Sequence, residues 1–485
     1  MNFIPEEISK ALPRHLPIYL VGGAVRDAIL GRRVVDLDFV LSNQVLKTAR
    51  SLANILQGDF YVLDDERQIG RVIIENDKYR RQILDFALLR GSSLEDDLKQ
   101  RDFTINAMAL DVGNPTQLID PLSGSRDLRE KVLRVCSDSS IDDDPVRILR
   151  AIRMASTYQL RIHPHTLSLI RRGINRLNEV SAERIRDEIF RLLDTPGWAT
   201  SLRALDMLGV IKIIFPELEG LKNIKVQGNQ KKSKWEHTLE VIHHLENLLS
   251  VLAQLPDQDT GNNLMMGLVN LKIGRYRNPL NEHLETRFSS GRSARQALLL
   301  AATFHQVEDN NHFSDVDQKK RLITENRRIN LISRLQTLCL SNQEVDRIIK
   351  INANYFSPLI PANPDQLPER REVYRFFNYC GEAGIDAGLL FLANTLAHGG
   401  LDLSPEVFEH QLSIVRSLYE AWWEKHEVLI SPTLLINGDD LINIFKLTPG
   451  PLLGKILSEL KEAQAIGEVT SREEALSFVK VLLKN

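Results

Sequence analysis

The sequence predicts an α+β fold, with a mixed sheet and helices over roughly the first 135 residues and an all-α remainder. Three observations lead there. Apolar runs of strand length stand at 18–21, 34–40 and 83–88, separated by glycines and helical stretches. Further along, apolar residues recur at i, i+3 and i+4, as in 204–214, 239–252, 345–351 and 453–463. A chain of 485 residues with 43% hydrophobic content can also fill several cores, so about two to four domains are expected. The expected organisation is a catalytic head over 1–135, a helical neck over 136–200, a helical body over 201–355 and a helical tail over 356–485.

The elements follow in order. Ile18 to Val21 reads as a buried strand, and Gly22-Gly23 break it and let the backbone come close to a ligand. A helix over 24–30 should follow, ending at Gly31. Its first-turn N–H groups and the glycine amides would face a polyphosphate, with Arg26 as a charged clamp. The next strand, 34–40, alternates, so Asp36 and Asp38 share one face while Leu37 and Phe39 point to the core. Two carboxylates beside a phosphate site suit Mg²⁺ and in-line nucleotidyl transfer, in which one ion activates the attacking hydroxyl and another steadies the leaving pyrophosphate. Taken singly, the glycine pair is a turn and the Asp-Leu-Asp a solvated strand edge; their spacing joins them into a site.

The stretch GGAVRDAILGRRVVDLD, 22–38, resembles the head signature of the bacterial and eukaryotic branch of tRNA nucleotidyltransferases, the CCA-adding family. That family shares a polymerase-β-like nucleotidyltransferase head with bacterial poly(A) polymerases. The resemblance covers 18–220 and 430–480 and is weak between them. It makes Asp85, the one acid of the strand 83–88, a candidate third carboxylate, the alternative being an ordinary strand-end charge. QRDFTINAMAL, 100–110, is similar to the family's second motif, in which Arg101 and Asp102 reach the incoming nucleotide and the aspartate reads its ribose. A 2′-hydroxyl both donates and accepts, which suits that pair. Asn106 would lie one turn later on a helix over 103–110, which Asp102 could equally cap.

DDDPVRILRAIRMA, 142–155, resembles the family's EDxxR element, with Asp143 where glutamate is usual. The resemblance implies that Asp144 and Arg147 act as a protein template for the base. Asp144 would accept from the amino group of cytosine or adenine and Arg147 would donate to the ring acceptors. Uracil or guanine would leave a buried acceptor unpaired, at about 1–3 kcal/mol. Asp144 also fits a helix N-cap followed by Pro145. Arg150 and Arg153 follow at three-residue steps, Arg150 placed for the phosphates. Downstream, 181–193 resembles the neck element, 201–218 the leucine-rich helix with its FPEL turn, and 435–475 the tail. The turn 448–454 opens a helix whose amides suit a tRNA phosphate, or is a plain loop broken by Pro449 and Pro451.

The middle of the chain stands apart. The segments 234–249 and 298–310 resemble an HD phosphohydrolase scaffold, but His305-Gln306 replaces the His-Asp pair that holds its metal. A neutral amide substitutes poorly for a bridging carboxylate, so phosphohydrolase activity is not expected. His237, His243, His244 and His305 are then helical-bundle residues. Lys222, Lys225, Lys231, Lys232 and Lys234 form a basic cluster, either solvated loop charge or a strip along a tRNA acceptor stem. Residues 254–263, 278–291 and 356–368 are expected to be loops.

A net charge of −3 excludes coating a polyanion by overall charge and leaves RNA binding to local basic patches. Cys136, Cys339 and Cys380 show no metal spacing and suit a reducing compartment. No apolar run spans a bilayer and the start has no secretory pattern, so a cytoplasmic protein without membrane partners is expected. After Leu89-Arg90 only Gly91-Ser92-Ser93 precede the next helix, where many family members insert a longer segment associated with switching the pocket from cytosine to adenine. Without that lever the pocket should favour CTP. The expectation is Mg²⁺-dependent CC addition to tRNA, with a separate A-adding enzyme finishing the end. A full CCA-adding enzyme using CTP and ATP is the alternative, ahead of a poly(A) polymerase or a non-catalytic tRNA-binding protein.

Overall fold

The computed structural model describes residues 4–34, 36–76, 80–226, 229–253, 264–307, 329–354 and 366–483. The chain divides into two compact units, Met1–Glu188 and Ile189–Asn485, so most of the segment expected as a neck falls with the head.

The first unit runs α1 (Glu6–Ala11), β1 (Ile18–Val21), α2 (Gly23–Ile29), β2 (Asp36–Leu41), α3 (Val45–Leu56), β3 (Asp59–Asp64), β4 (Ile69–Asn76), β5 (Arg80–Leu88), α4 (Leu94–Lys99), β6 (Ala109–Asp111), β7 (Asn114–Ile119), α5 (Gly124–Arg129), β8 (Val132–Leu133), α6 (Ser140–Asp143), α7 (Arg147–Tyr158), β9 (Arg161–Ile162), α8 (Pro164–Gly173) and α9 (Ala182–Leu193), the last crossing into the second unit. Seven strands form one sheet in the order β3-β4-β5-β2-β1-β6-β7. β2 pairs with β5 in parallel and the other neighbours are antiparallel, so the sheet is mixed. On one face Leu37 and Phe39 of β2 and Leu84 and Phe86 of β5 are buried, and the two phenyl rings stack 5.0 Å apart. The amphipathic α3 contributes the buried Val45, Ala49, Leu52 and Ala53. Burying each large side chain of this layer stabilises the unit by about 1.5–3 kcal/mol. The other face of β2 carries its two acids and the buried Val40.

Two segments of this unit depart from expectation. Residues 103–110 do not form a helix: Thr104–Asn106 is a single 3-10 turn and Ala109–Asp111 becomes β6, with Leu110 opposite Leu20. The open edge of β1 needs hydrogen-bond partners, and pairing with it outweighs the helix preference of Ala and Met. The helix expected from Pro145 begins instead at Arg147, after Asp144 in an extended conformation. It buries Ile148, Leu149, Ala151, Ile152 and Met154.

The second unit is almost wholly helical. Helix Lys234–Ala253 buries an apolar face that packs against Ala383–Gly399, and Ala294–Phe304 starts at a capping box formed by Ser293 and Gln296. The stretch 278–291, expected as a loop, carries most of helix Arg277–Glu285, because Leu280 and Leu284 give it one buried stripe. In the tail, helix Pro451–Ile466 follows Gly450 and contributes Ile456, Leu460 and Ala463 to a core with Ile436, Leu441, Val469, Ala475 and Val479. All four tryptophans, Trp198, Trp235, Trp422 and Trp423, belong to this unit. The expected loops 254–263 and, for the most part, 356–368 lie outside the described residues. No described helix is long and apolar enough to cross a membrane.

Candidate active site

The acids come from sheet register. Asp38 on β2 lies opposite Asp85 on β5, and Asp85 lies opposite Arg71 on β4. Residues in register share a face, so Arg71, Asp85 and Asp38 form a row across three adjacent strands spaced about 4.8 Å apart. Asp36, two residues before Asp38, is on the same face. Beyond the acids that face turns apolar, where Val21, Val40, Ala87 and Ala109 pack with Leu94 and Leu98 of α4.

Burial, then the charge of Asp85, raises the pKa of Asp38 to about 6, while Arg101 and Arg71 pull against the rise. Asp36 is raised by burial and by Asp85 as well, with Arg71 opposing. Carboxylates crowded this way are short of positive charge, and hard oxygen donors of this type suit Mg²⁺. Asp85 differs. Its two oxygens accept from Arg71 Nε at 2.8 Å and Nη2 at 2.9 Å. Among the described residues no three His, Cys, Asp or Glu side chains are gathered for a metal. The candidate third carboxylate is thus in its expected place but serves as an arginine's partner. Sequence reasoning missed Arg71, whose signal is a lone arginine in the apolar strand IGRVII, 69–74.

Gly22 makes the close approach its type suggests. Its φ is +74°, and a Cβ there would sit 3.2 Å from Arg101 Nη1 and 3.5 Å from Asp38 Oδ2. A side chain there would crowd the guanidinium and strain a backbone conformation that favours glycine. Gly23 opens α2, and a Cβ there would meet Arg26 Nη2 at 3.3 Å.

Arg26, expected as a charged clamp on the phosphates, is buried and its donors meet protein partners. It is 6% exposed; Nε and Nη2 donate to the two oxygens of Asp27 at 3.0 and 2.9 Å, Nη1 donates to Asn106, and the guanidinium lies 4.2 Å from the Tyr158 ring centre. Its donors are used in joining α2 to the 3-10 turn and α7.

Arg101 donates through Nε and Nη2 to Asp97, at 3.0 and 2.9 Å. Asp102 is buried, which by itself would raise its pKa; Arg150, Asn106 and the Phe103 N–H together hold it below the ordinary value. Asn106 Nδ2 donates to its Oδ1 at 2.9 Å, so the expected neighbours meet through a tight turn rather than a helix face. Arg150 donates from Nη1 to Asp102 at 3.2 Å and from Nε to Glu188 at 3.2 Å. Arg150, expected to be placed for the phosphates, is held here by two acids.

Asp144 does not cap α7. Both its oxygens accept from Arg184 Nη2, at 2.9 and 2.8 Å. Arg147 donates from Nη1 to the Ser140 hydroxyl at 2.8 Å and carbonyl at 3.1 Å, and from Nη2 to the Gln100 carbonyl at 3.0 Å. The structure thus ties Arg147 to the 100–102 motif, with both terminal nitrogens engaged inside the protein. Nearby Arg90 has its pKa lowered by burial and by the charge of Arg101, and it forms no ion pair among the described residues.

In the second unit, His305 is buried, with Nδ1 2.7 Å from the Ala302 carbonyl oxygen, and His237 Nε2 is 3.0 Å from Asn394 Oδ1. Two lysines of the basic cluster are paired with acids: Lys222 with Asp206 and Glu219, and Lys232 with Glu240. The side chain of Lys231 lies outside the described residues.

The first unit thus sets two acids on one face of a mixed sheet, beside a glycine turn that opens a helix. The model of the Poly A polymerase head domain matches residues 18–134, that of the probable RNA and SrmB-binding site of polymerase A matches 159–221, and that of tRNA nucleotidyltransferase domain 2 matches 415–479. The chain is 31% identical to an A-adding tRNA nucleotidyltransferase of Deinococcus radiodurans, over 95% of this chain and 94% of the relative. It is 29% identical to a CC-adding tRNA nucleotidyltransferase of Synechocystis sp., over 96% and 94%. The fold is that of a CCA-adding enzyme solved with CTP, at TM-score 0.62 and 21% identity, covering 100% of this chain and 97% of that one. The Thermotoga maritima CCA-adding enzyme solved with tRNA is similar at TM-score 0.56 and 23% identity, covering 96% and 92%. The chain belongs to the tRNA nucleotidyltransferase family and is an enzyme of that family.

Proposed function

We propose that this enzyme adds CC to the 3′ end of tRNA, by attack of the tRNA 3′-hydroxyl on the α-phosphate of CTP, and that a separate A-adding enzyme completes the end. The observation that carries the nucleotide choice is the connection from β5 to α4. Gly91 turns at φ +85°; Ser92 donates from N and Oγ to Asp96 at 3.2 and 2.7 Å, and Ser93 Oγ accepts from Asp96 N at 3.1 Å. Arg90, Ser92 and Ser93 are tied to α4, and so short and fixed a connection supports a pocket without a lever to reshape it for a purine. Full-length relatives carry both A-adding and CC-adding names, so the names do not decide.

Asp36 and Asp38 would hold Mg²⁺, which when bound offsets phosphate charge and favours ionisation of the attacking hydroxyl. Gly22 and Gly23 let the triphosphate approach the backbone at the start of α2, with Arg101 beside Asp38 and Arg90 supplying positive charge. Asp102 and Asn106 read the ribose, and Arg26 and Arg150 hold those two in place. Asp144 reads the exocyclic amine by exchanging Arg184 for the base, and Arg147 holds the pocket floor and donates to the ring through the second hydrogen of Nη2. The tail turn 448–454 offers amides to a tRNA phosphate.

The test is product length on a single-nucleotide gel, with tRNA lacking its last three nucleotides or ending in CC, and CTP alone, ATP alone or both. Extension by two with CTP and no more with ATP is expected. Extension by three identifies a full CCA-adding enzyme, and extension only of tRNA already ending in CC, by ATP, identifies an A-adding one.

A further inference from the structure

Arg71 lies outside every motif and yet ends the row of acids. Its β4 neighbours Gly70 and Val72 face the opposite side, where Val72 is buried and a Cβ on Gly70 would touch Leu46, Phe60 and Ala49. Arg71 therefore plays no part in that core. Its guanidinium instead meets Asp85 edge to edge, Nε to one oxygen and Nη2 to the other, at 2.8 and 2.9 Å. This two-point pairing is the strongest an arginine makes with a carboxylate. The side chains of Arg71 and Asp85 are 36% and 30% exposed, so the pair borders solvent on the face of the active site. Asp85 is in turn the parallel register partner of Asp38.

A carboxylate bonded through both oxygens to a guanidinium has its charge offset and its lone pairs engaged, and makes a poor ligand for a divalent ion. We propose that Arg71 is a positioning residue that closes Asp85 to metal, so that the cation is held by Asp36 and Asp38 alone. This rests on assigning the metal to those two acids. The row then reads as two open ligands and one locked one, and the lock is a single side chain on the neighbouring strand. Removing it leaves a third carboxylate one strand spacing from Asp38 and takes away a positive charge that repels the ion. Across about 5–10 Å near a protein surface these changes together tighten divalent binding by about fivefold or more.

The experiment measures Mn²⁺ binding to the full chain, without nucleotide, by the electron paramagnetic resonance of free Mn²⁺. Arg71→Gln is expected to lower the Mn²⁺ Kd by about fivefold or more, and Arg71→Gln with Asp85→Asn to return it to within about twofold of the parent. The Mg²⁺ concentration giving half-maximal CMP transfer should fall with Arg71→Gln by the same factor. Arg71→Lys, which keeps the charge and loses the two-point pairing, should fall between, and it serves if Arg71→Gln does not fold by circular dichroism. An unchanged Kd in both single variants overturns the proposal. So does a double variant as tight as Arg71→Gln, or a rise in KM for CTP with unaltered metal binding, which would make Arg71 a phosphate contact. An Asp38→Asn variant that binds Mn²⁺ like the parent instead overturns the metal assignment, whatever Arg71 does.

Discussion

At Gly22 a methyl group would stand between the Arg101 guanidinium and the Asp38 carboxylate, in a backbone conformation that side chains disfavour. Gly22→Ala should cost about 1 kcal/mol of stability and lower kcat/KM for CTP by about tenfold or more, measured by urea unfolding and initial rates. Arg26 makes the opposite case. As a buried ion pair with Asp27, its loss in Arg26→Ala should destabilise the first unit by about 3–5 kcal/mol. An open phosphate clamp would raise KM for CTP and leave stability alone, so denaturation and kinetics on one variant separate the two roles. Gly22, Asp36 and Asp38 were legible because their chemistry is written in local spacing. The partners of Arg26 were not: Tyr158, which bonds Asp27, is 131 residues away along the chain. Arg184 on Asp144 and Glu188 on Arg150 are likewise contacts that only the folded chain makes.

Between elements, the acids that hold arginines do the joining. Glu188 of α9 accepts from Arg150 Nε at 3.2 Å and Arg153 Nε at 2.9 Å, both on α7. Glu188→Ala would leave two guanidiniums without their shared acid and should lower stability by about 3 kcal/mol, followed by circular dichroism in urea. It should also loosen Asp102, which Arg150 holds from its other nitrogen, and raise KM for CTP more than it lowers kcat. Strands β1, β2 and β5 and the long helices were legible from period alone. The misread elements share a cause. Residues 103–110 have helix-forming composition but lie beside an unpaired strand edge, and 278–291 look polar but carry two leucines one turn apart. In both, a neighbour absent from the local sequence decides the outcome.

For the whole molecule, two opposite responses to acid follow from burial. His305 is pushed down to about 3 by burial, and His237 is lowered for the same reason. Because the folded value lies below the unfolded one, the unfolded chain takes up the proton first, and the second unit loses stability as pH falls below about 6.5. From about pH 7 to about pH 5 His305 alone accounts for roughly 2 kcal/mol. His305→Asn, which keeps a donor for the Ala302 carbonyl, should flatten the drop in melting temperature measured at the two pH values. Asp38 has the reverse sign: its folded value of about 6 lies above the unfolded one, so without metal the first unit gains stability as pH falls through that window. The division into an α+β part and a helical part was legible from the change of period. The boundary at Glu188 was not, because it depends on which helices pack together rather than on any break in composition.

The placement of the tryptophans gives this protein an optical partition. With every indole in residues 189–485, tryptophan fluorescence is a signal from the second unit, and the catalytic head emits through tyrosines alone. A tryptophan placed at Tyr158 would give the head its own indole emission, beside the Arg26 guanidinium that already lies over that ring.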